Sequence, residues 1–217
     1  MERRSGAYID SVPAELLYVA LGDSTAKGVG ARSGGGYPER LVAKLRSAYP
    51  GIQLLNLGQS GATTSDVLAD QVSHVLRTRP RLITLGIGIN DVGLQVPDDA
   101  FAVNLEEILV RLRKPGARIA INNIPDLALA PAVAQVVPSS VYERRIELFN
   151  EHVTASAARH GLALVDLFAW SRQALSGRAE LFSPDGFHPS ALGYDLWAQR
   201  MLPQVIALLR ETVAASA

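Results

Sequence analysis

Leu17-Tyr18-Val19-Ala20-Leu21-Gly22-Asp23-Ser24 runs from five apolar residues straight into three that favour turns. The apolar part is unbroken rather than alternating, the pattern of a strand covered on both faces, and such strands belong to parallel sheets flanked by helices. Ile52 to Leu57, Leu82 to Leu85, Arg118 to Asn122 and Leu162 to Val165 read as strands in the same way. Helical spacing fills the intervals. Pro38, Leu41 and Leu45 mark a short helix, and Val67, Leu68, Val72 and Val75 mark another after Thr64. Phe101, Leu105, Ile108, Leu109 and Leu112 follow Asp98, a candidate cap, and predict a helix to about Arg113 that Pro115-Gly116 ends. Ser140 with Glu143 reads as a capping box opening a helix to about His160, its apolar face carrying Val141, Ile146, Phe149 and Val153. A last helix starts near Pro189 or Ser190 and carries Leu192, Leu196, Met201, Val205 and Leu208, with Pro203 set to kink or divide it.

Strands alternating with helices over short connections predict an α/β fold: a three-layer α/β/α sandwich around a five-stranded parallel sheet in flavodoxin-like order. Two stretches resist assignment, glycine-rich Gly28 to Gly36 and the proline-bearing Asn123 to Ser139. The 217 residues, 48% hydrophobic, suit one core and one domain, with 1–14 an N-terminal extension and 211–217 a frayed tail.

Charge and composition remove whole classes of function. Lys plus Arg equals Asp plus Glu, at 21 each, so no net field draws nucleic acid or an anionic membrane surface. The absence of cysteine excludes disulfides, thiolate catalysis and cysteine-ligated zinc. Asp10, Pro13 and Glu15 interrupt the region where a signal peptide would need an apolar core, and the longest apolar stretches fall short of the ~20 residues that span a bilayer. The expectation is a cytoplasmic protein with no nucleic-acid partner and no integral membrane association.

Ligands of such sheets bind beyond the carboxyl ends of the strands. The chemically distinctive residues fall there: Ser24 after the first strand, Gly58 to Thr64 after the second, Gly86 to Asp91 after the third, and Asp185-Gly186-Phe187-His188 before the last helix. A serine hydroxyl becomes a nucleophile when an imidazole takes its proton, and a carboxylate must hold that imidazole in one tautomer. Ser24, His188 and Asp185 supply these groups if the fold joins the two ends of the chain. Gly61, lacking a side chain, can bring its N–H close to a developing oxyanion, and Asn90 offers a neutral amide donor. Each signal alone has a plain alternative. Gly22-Asp23-Ser24 and Gly61 are also turn sequences, Asn90-Asp91 also caps a short helix, and Asp-x-x-His is also a helix-cap pair. His74, His152 and His160 fall inside or at the end of helices and read as solvated or half-buried side chains.

In combination, Gly22-Asp23-Ser24, Gly61, Gly88-Ile89-Asn90-Asp91 and Asp185-Gly186-Phe187-His188 resemble the four ordered blocks of the SGNH hydrolases, also called GDSL esterases and lipases. The resemblance runs from about Leu17 to Leu209. It implies the SGNH hydrolase fold, with Ser24 as nucleophile, His188 as general base and then acid, and Asp185 orienting His188. It also implies an oxyanion hole of the Ser24 N–H, the Gly61 N–H and the Asn90 side chain, with Asp23 and Asp91 structural and no cofactor or metal. Thr25 stands where the GDSL signature has leucine, a position without chemistry. The implied reaction is hydrolysis of a small-molecule ester or thioester through an acyl-serine.

Other readings use some of the same residues. Gly22-x-Ser24-x-Ala26 is close to the nucleophile elbow of α/β-hydrolases, but only one strand precedes Ser24, and Asp185 lies three residues from His188. A flavodoxin-like module could hold a phosphate or flavin at Ser60 to Thr64, leaving Asn90, Asp185 and His188 unexplained. An acyltransferase, or a carbohydrate O-deacetylase, would keep the site and change the acceptor or the ester. For substrate, the segment Ile124 to Val137 follows the fourth strand, and Leu127, Leu129 and Val133, with Val136 and Val137, are candidates to line an acyl pocket. The same segment would serve equally as a hydrophobic loop packed on the core or used for self-association.

Overall fold

In the computed structural model, which describes residues 16–135 and 139–214, the five apolar runs form one parallel sheet. Its strands are β1 (Leu16–Gly22), β2 (Ile52–Asn56), β3 (Leu82–Gly86), β4 (Arg118–Asn122) and β5 (Ala163–Val165), in the flavodoxin-like order β2-β1-β3-β4-β5. The reason the runs are unbroken is visible in β1. Tyr18 and Ala20 enter one core and Val19 and Leu21 the other, all at 0% exposure. On β3, Leu82 joins the first and Ile83 and Leu85 the second. Neither face can carry a polar residue without burying it. Truncating Leu21, Ile83 or Leu85 to alanine should cost about 2–5 kcal/mol each.

The helices are α1 (Ser24–Lys27), α2 (Tyr37–Leu45), α3 (64–75), α4 (Ile89–Gly93), α5 (Asp98–Leu112), α6 (Pro131–Ala134), α7 (Ser139–His160), α8 (Leu167–Ala174) and α9 (Ala191–Ala214). α2 and α9 cover one face with Leu41, Leu45, Met201 and Val205, and α3, α5 and α7 cover the other with Val67, Leu105 and Ile146. Phe101 of α5 stacks on Phe149 of α7 with ring centroids 4.1 Å apart.

Several details depart from the sequence reading. Asp98 is the first helical residue rather than the cap, a position held by Pro97, and its carboxylate meets His152 Nε2 on α7 at 2.8 Å. A first-turn acid still suits the positive end of the helix. α7 opens at Ser139, so Ser140 lies inside its first turn, and Glu143 reaches toward Arg172 at 3.7 Å. α9 buries Tyr194, Trp197, Ala198, Met201, Val205 and Leu209, while Leu192 is 46% exposed. Counting only aliphatic residues misplaced that stripe, because two of its buried members are aromatic. Pro203 lies on the exposed side of α9 without dividing it. The expected extension over 1–14, the tail residues 215–217, and Val136 and Val137 lie outside the described residues.

Candidate active site

β1 leaves the sheet at Gly22, whose φ of +149° favours glycine and where a Cβ would stand 2.2 Å from the Gly86 carbonyl oxygen. Asp23 then caps α1, its Oδ1 accepting from the Thr25 N–H and the Thr25 hydroxyl, both at 2.8 Å. Ser24 therefore opens a one-turn helix directly beyond the strand and is 5% exposed.

The other half of the site is a closed turn. Phe182 and Pro189 bridge in antiparallel fashion, and the Ser183 N–H donates to the His188 carbonyl at 2.7 Å. Inside it, Asp185 Oδ1 accepts from the Ser183 hydroxyl (2.8 Å), the Phe187 N–H (2.8 Å) and the His188 N–H (2.9 Å). Asp185 Oδ2 lies 2.7 Å from His188 Nδ1, and His188 Nε2 lies 3.1 Å from Ser24 Oγ. Burial pushes the Asp185 carboxyl up, but the donors from Phe187, His188 and Ser183 outweigh it and hold the group well below the ordinary carboxylate range.

Gly61 lies on the loop beyond β2 and Asn90 in the short helix α4 beyond β3, the two strands that flank β1. Gly61 has φ +79°, a backbone conformation that favours glycine, and no protein atom lies within 4 Å of where its Cβ would stand. Asn90 Nδ2 donates to the Ala62 carbonyl at 2.9 Å, which orients the amide and, among the described residues, leaves its second N–H unpaired. Among the described residues, the main-chain N–H groups of Ser24 and Gly61 also have no partner. The buried Asp91 carboxylate accepts from Thr64 N–H at 3.0 Å and from the Thr64 hydroxyl at 2.6 Å, tying α4 to the start of α3. Burial raises its pKa, against the pull of those Thr64 bonds. Asp23, fully buried, is pushed up to about 6 by burial, with the Thr25 bonds and nearby His188 opposing.

Some neighbours of these groups had no signal in the sequence. Gly30, at φ +88°, packs so closely that a Cβ would fall 2.9 Å from the His188 Cβ, so the unassigned Gly28 to Gly36 loop buttresses that histidine. The Tyr194 hydroxyl donates to the Val29 carbonyl at 2.8 Å, fixing the same loop to α9. Ser183, two residues before Asp185, could have been suspected from its turn-forming position. The other histidines are elsewhere: His74 is exposed, His152 pairs with Asp98, and His160 Nε2 lies 2.7 Å from Glu106. Among the described residues, no three His, Asp or Glu side chains gather to hold a metal ion. No helix among them is long and apolar enough to cross a membrane.

Beside His188 lies an apolar cavity of about 50 Å³, lined by Thr25, Ile89, Leu127, Trp170, Phe187 and Trp197 among others. Leu127 reaches it from a short 3₁₀ turn, Leu127–Leu129, whereas Leu129 and Val133 stand half-buried outside the lining.

A parallel sheet in this order, with these groups beyond its carboxyl ends, is the architecture of the SGNH-type hydrolases. The model of the GDSL-like lipase/acylhydrolase family matches residues 20–196, and the chain belongs to that family. Its class is that of the carboxylic ester hydrolases. A GDSL-like esterase of Mycobacterium tuberculosis is 30% identical over 192 residues, covering 86% of this chain and 60% of that protein. This chain thus spans somewhat under two thirds of that relative's length. Esterase TesA of Pseudomonas aeruginosa is 24% identical over 196 residues and covers 90% of both chains. The crystal structure of Axe2, an acetylxylan esterase from Geobacillus stearothermophilus, has the same fold, with a TM-score of 0.71 at 24% identity over 88% of this chain and 94% of that one.

Proposed function

We propose that this protein is a serine esterase that cleaves small acyl esters through an acyl-serine on Ser24. The observation that carries the reading is the unbroken chain Asp185 Oδ2, His188 Nδ1, His188 Nε2, Ser24 Oγ, with links of 2.7 and 3.1 Å. His188 takes the Ser24 proton as Oγ bonds to the acyl carbon, then gives it to the alcohol oxygen as the ester C–O bond breaks. Water repeats the sequence on the acyl-serine and restores Ser24. Asp185, held ionised by its donors, stabilises the imidazolium formed in between. The Ser24 and Gly61 N–H groups and the free Asn90 amide N–H receive the tetrahedral oxyanion, each positioned donor being worth roughly 3–4 kcal/mol.

The cavity beside His188 suits the acyl group. Its apolar lining and volume of about 50 Å³ support a short acyl group as the occupant. A second reading, a carbohydrate O-deacetylase, is favoured by the likeness to an acetylxylan esterase and uses the same cavity. Rates on p-nitrophenyl esters from acetate to palmitate test the proposal. Ser24→Ala should stay folded and lose about 10⁴-fold or more in kcat, and wild-type rates should fall beyond short chains. Turnover by Ser24→Ala would remove the nucleophile, and rates rising toward palmitate would remove the acyl-size argument.

A further inference from the structure

α3 is not a plain helix. Between Thr64–Asp66 and Val72–Val75 its middle turn, Val67–Gln71, is a π turn, which accommodates one extra residue. Such turns are rare and concentrate at functional sites. The last residue of this one is Gln71, 3% exposed. Its side-chain amide pairs both ways with a single backbone residue: Oε1 accepts from the Gly22 N–H at 2.9 Å, and Nε2 donates to the Gly22 carbonyl at 2.8 Å.

Gly22 is the point where β1 turns out of the sheet toward Ser24. It pairs in register with Gly86 of β3, but the ladder to β2 stops at Ala20 and Asn56. On that open side Gln71 stands in for the missing strand, with a further bond from the Gln59 N–H to the Gly22 carbonyl at 3.1 Å. The peptide groups on both sides of Gly22 are thereby fixed. The next peptide carries the Ser24 N–H, and its orientation sets the direction of the Ser24 side chain. Without the extra residue of the π turn, α-helical geometry would swing position 71 by about 100° and carry the amide off Gly22. The start of α3 is meanwhile held by Asp91 through Thr64, so the helix is tied to the ends of both β3 and β1.

We infer that Gln71 is a positioning residue for the reaction, its amide clasping the Gly22 peptide groups so that the Ser24 hydroxyl and N–H face the acyl group together. The inference rests on the serine-esterase reading, and Ser24→Ala serves as the control that separates the two. Gln71→Leu removes both bonds at nearly constant volume. Gln71→Glu keeps the shape and the acceptor but, when ionised, sets a carboxylate against the Gly22 carbonyl; when protonated it regains the donor.

The measurement is kcat and KM on p-nitrophenyl acetate per active site, with sites counted by titration with a fluorophosphonate. Partial unfolding lowers the site count and leaves the per-site rate alone. Per-site kcat should fall about tenfold to a hundredfold in Gln71→Leu, with KM changed by no more than about twofold. The ratio of Gln71→Glu to wild-type kcat should climb as pH is lowered from about 8 to about 5, as the protonated acid restores the donor. If Gln71→Leu does not fold, the pH-dependent ratio of Gln71→Glu decides alone. Per-site kcat within about twofold of wild type in Gln71→Leu, or a Gln71→Glu ratio that does not change with pH, overturns the role of Gln71 while leaving Ser24 untouched. Activity in Ser24→Ala would instead overturn the esterase mechanism beneath it.

Discussion

The two turns that meet at Ser24 and His188 each contain an aspartate, and they treat it in opposite ways. Asp185, in the 182–190 turn, is half exposed and collects donors from Ser183, Phe187 and both the backbone and the ring of His188. Asp23, in the 22–25 turn, is fully buried and, among the described residues, receives only the two Thr25 donors on Oδ1 and leaves Oδ2 without a partner. One carboxyl is held far below its ordinary range and the other is lifted to about 6. Burial lifts Asp23 while its two donors oppose it, and the donors on Asp185 outweigh its burial, so burial and donor count together separate the two acids.

The largest expected effect follows from the first of these. Asp185→Asn should keep the turn but lose the charge and tautomer control, lowering kcat by about 10⁴-fold. A loss of only a few-fold, measured on p-nitrophenyl acetate, would show that Asp185 is merely a turn former. A smaller effect separates the two acids by pH. Asp23 binds its proton more tightly folded than unfolded, so the stability it contributes is complete below its ordinary value of 3.8 and is lost as pH rises through about 6. Urea unfolding should show wild type losing on the order of 3 kcal/mol relative to Asp23→Asn from about pH 4 to neutrality. Parallel stability curves for the two proteins would end the contrast. Asp185 acts with the other sign: its contribution is present above the ordinary carboxylate range and fades as pH falls through and below it. The smallest effect belongs to Ser183→Ala, which deletes one of the Asp185 donors. It should cost about 1 kcal/mol of stability and a few-fold in kcat, and an unchanged acid limb of the stability curve would show that the Ser183 bond does not help hold Asp185 ionised.

How far all this could be read from the residues depends on the length of the interaction. The five strands were legible because two-sided burial writes itself as an unbroken apolar run, and all five agree with the structure to within a residue at each end. Ser24, Asp185 and His188 were legible because each sits in a short motif at a strand end or before a helix. The Asp98 cap failed through an offset of one residue, and the α9 stripe because an aromatic can replace an aliphatic in a core. Gln71 was invisible for a different reason. It meets Gly22 across 49 residues, and a polar residue among Val67, Leu68, Val72 and Val75 carries no local mark of the π turn that aims it. Leu127 at the cavity, with Leu129 and Val133 outside it, shows the same limit, since a run of apolar loop residues does not say which of them faces a ligand.

The bond between His188 and Ser24 joins residues 164 apart, the acid and base being only three apart. Synthesis from the N-terminus thus delivers the nucleophile 164 residues before its base. On the proposed mechanism a growing chain carries an inert serine until those 164 residues have been made, and turns over ester only when the sheet and the 182–190 turn have closed on each other. Enzymatic activity is then a built-in readout of completed folding, silent in any intermediate that has formed its sheet but not yet docked the 182–190 turn.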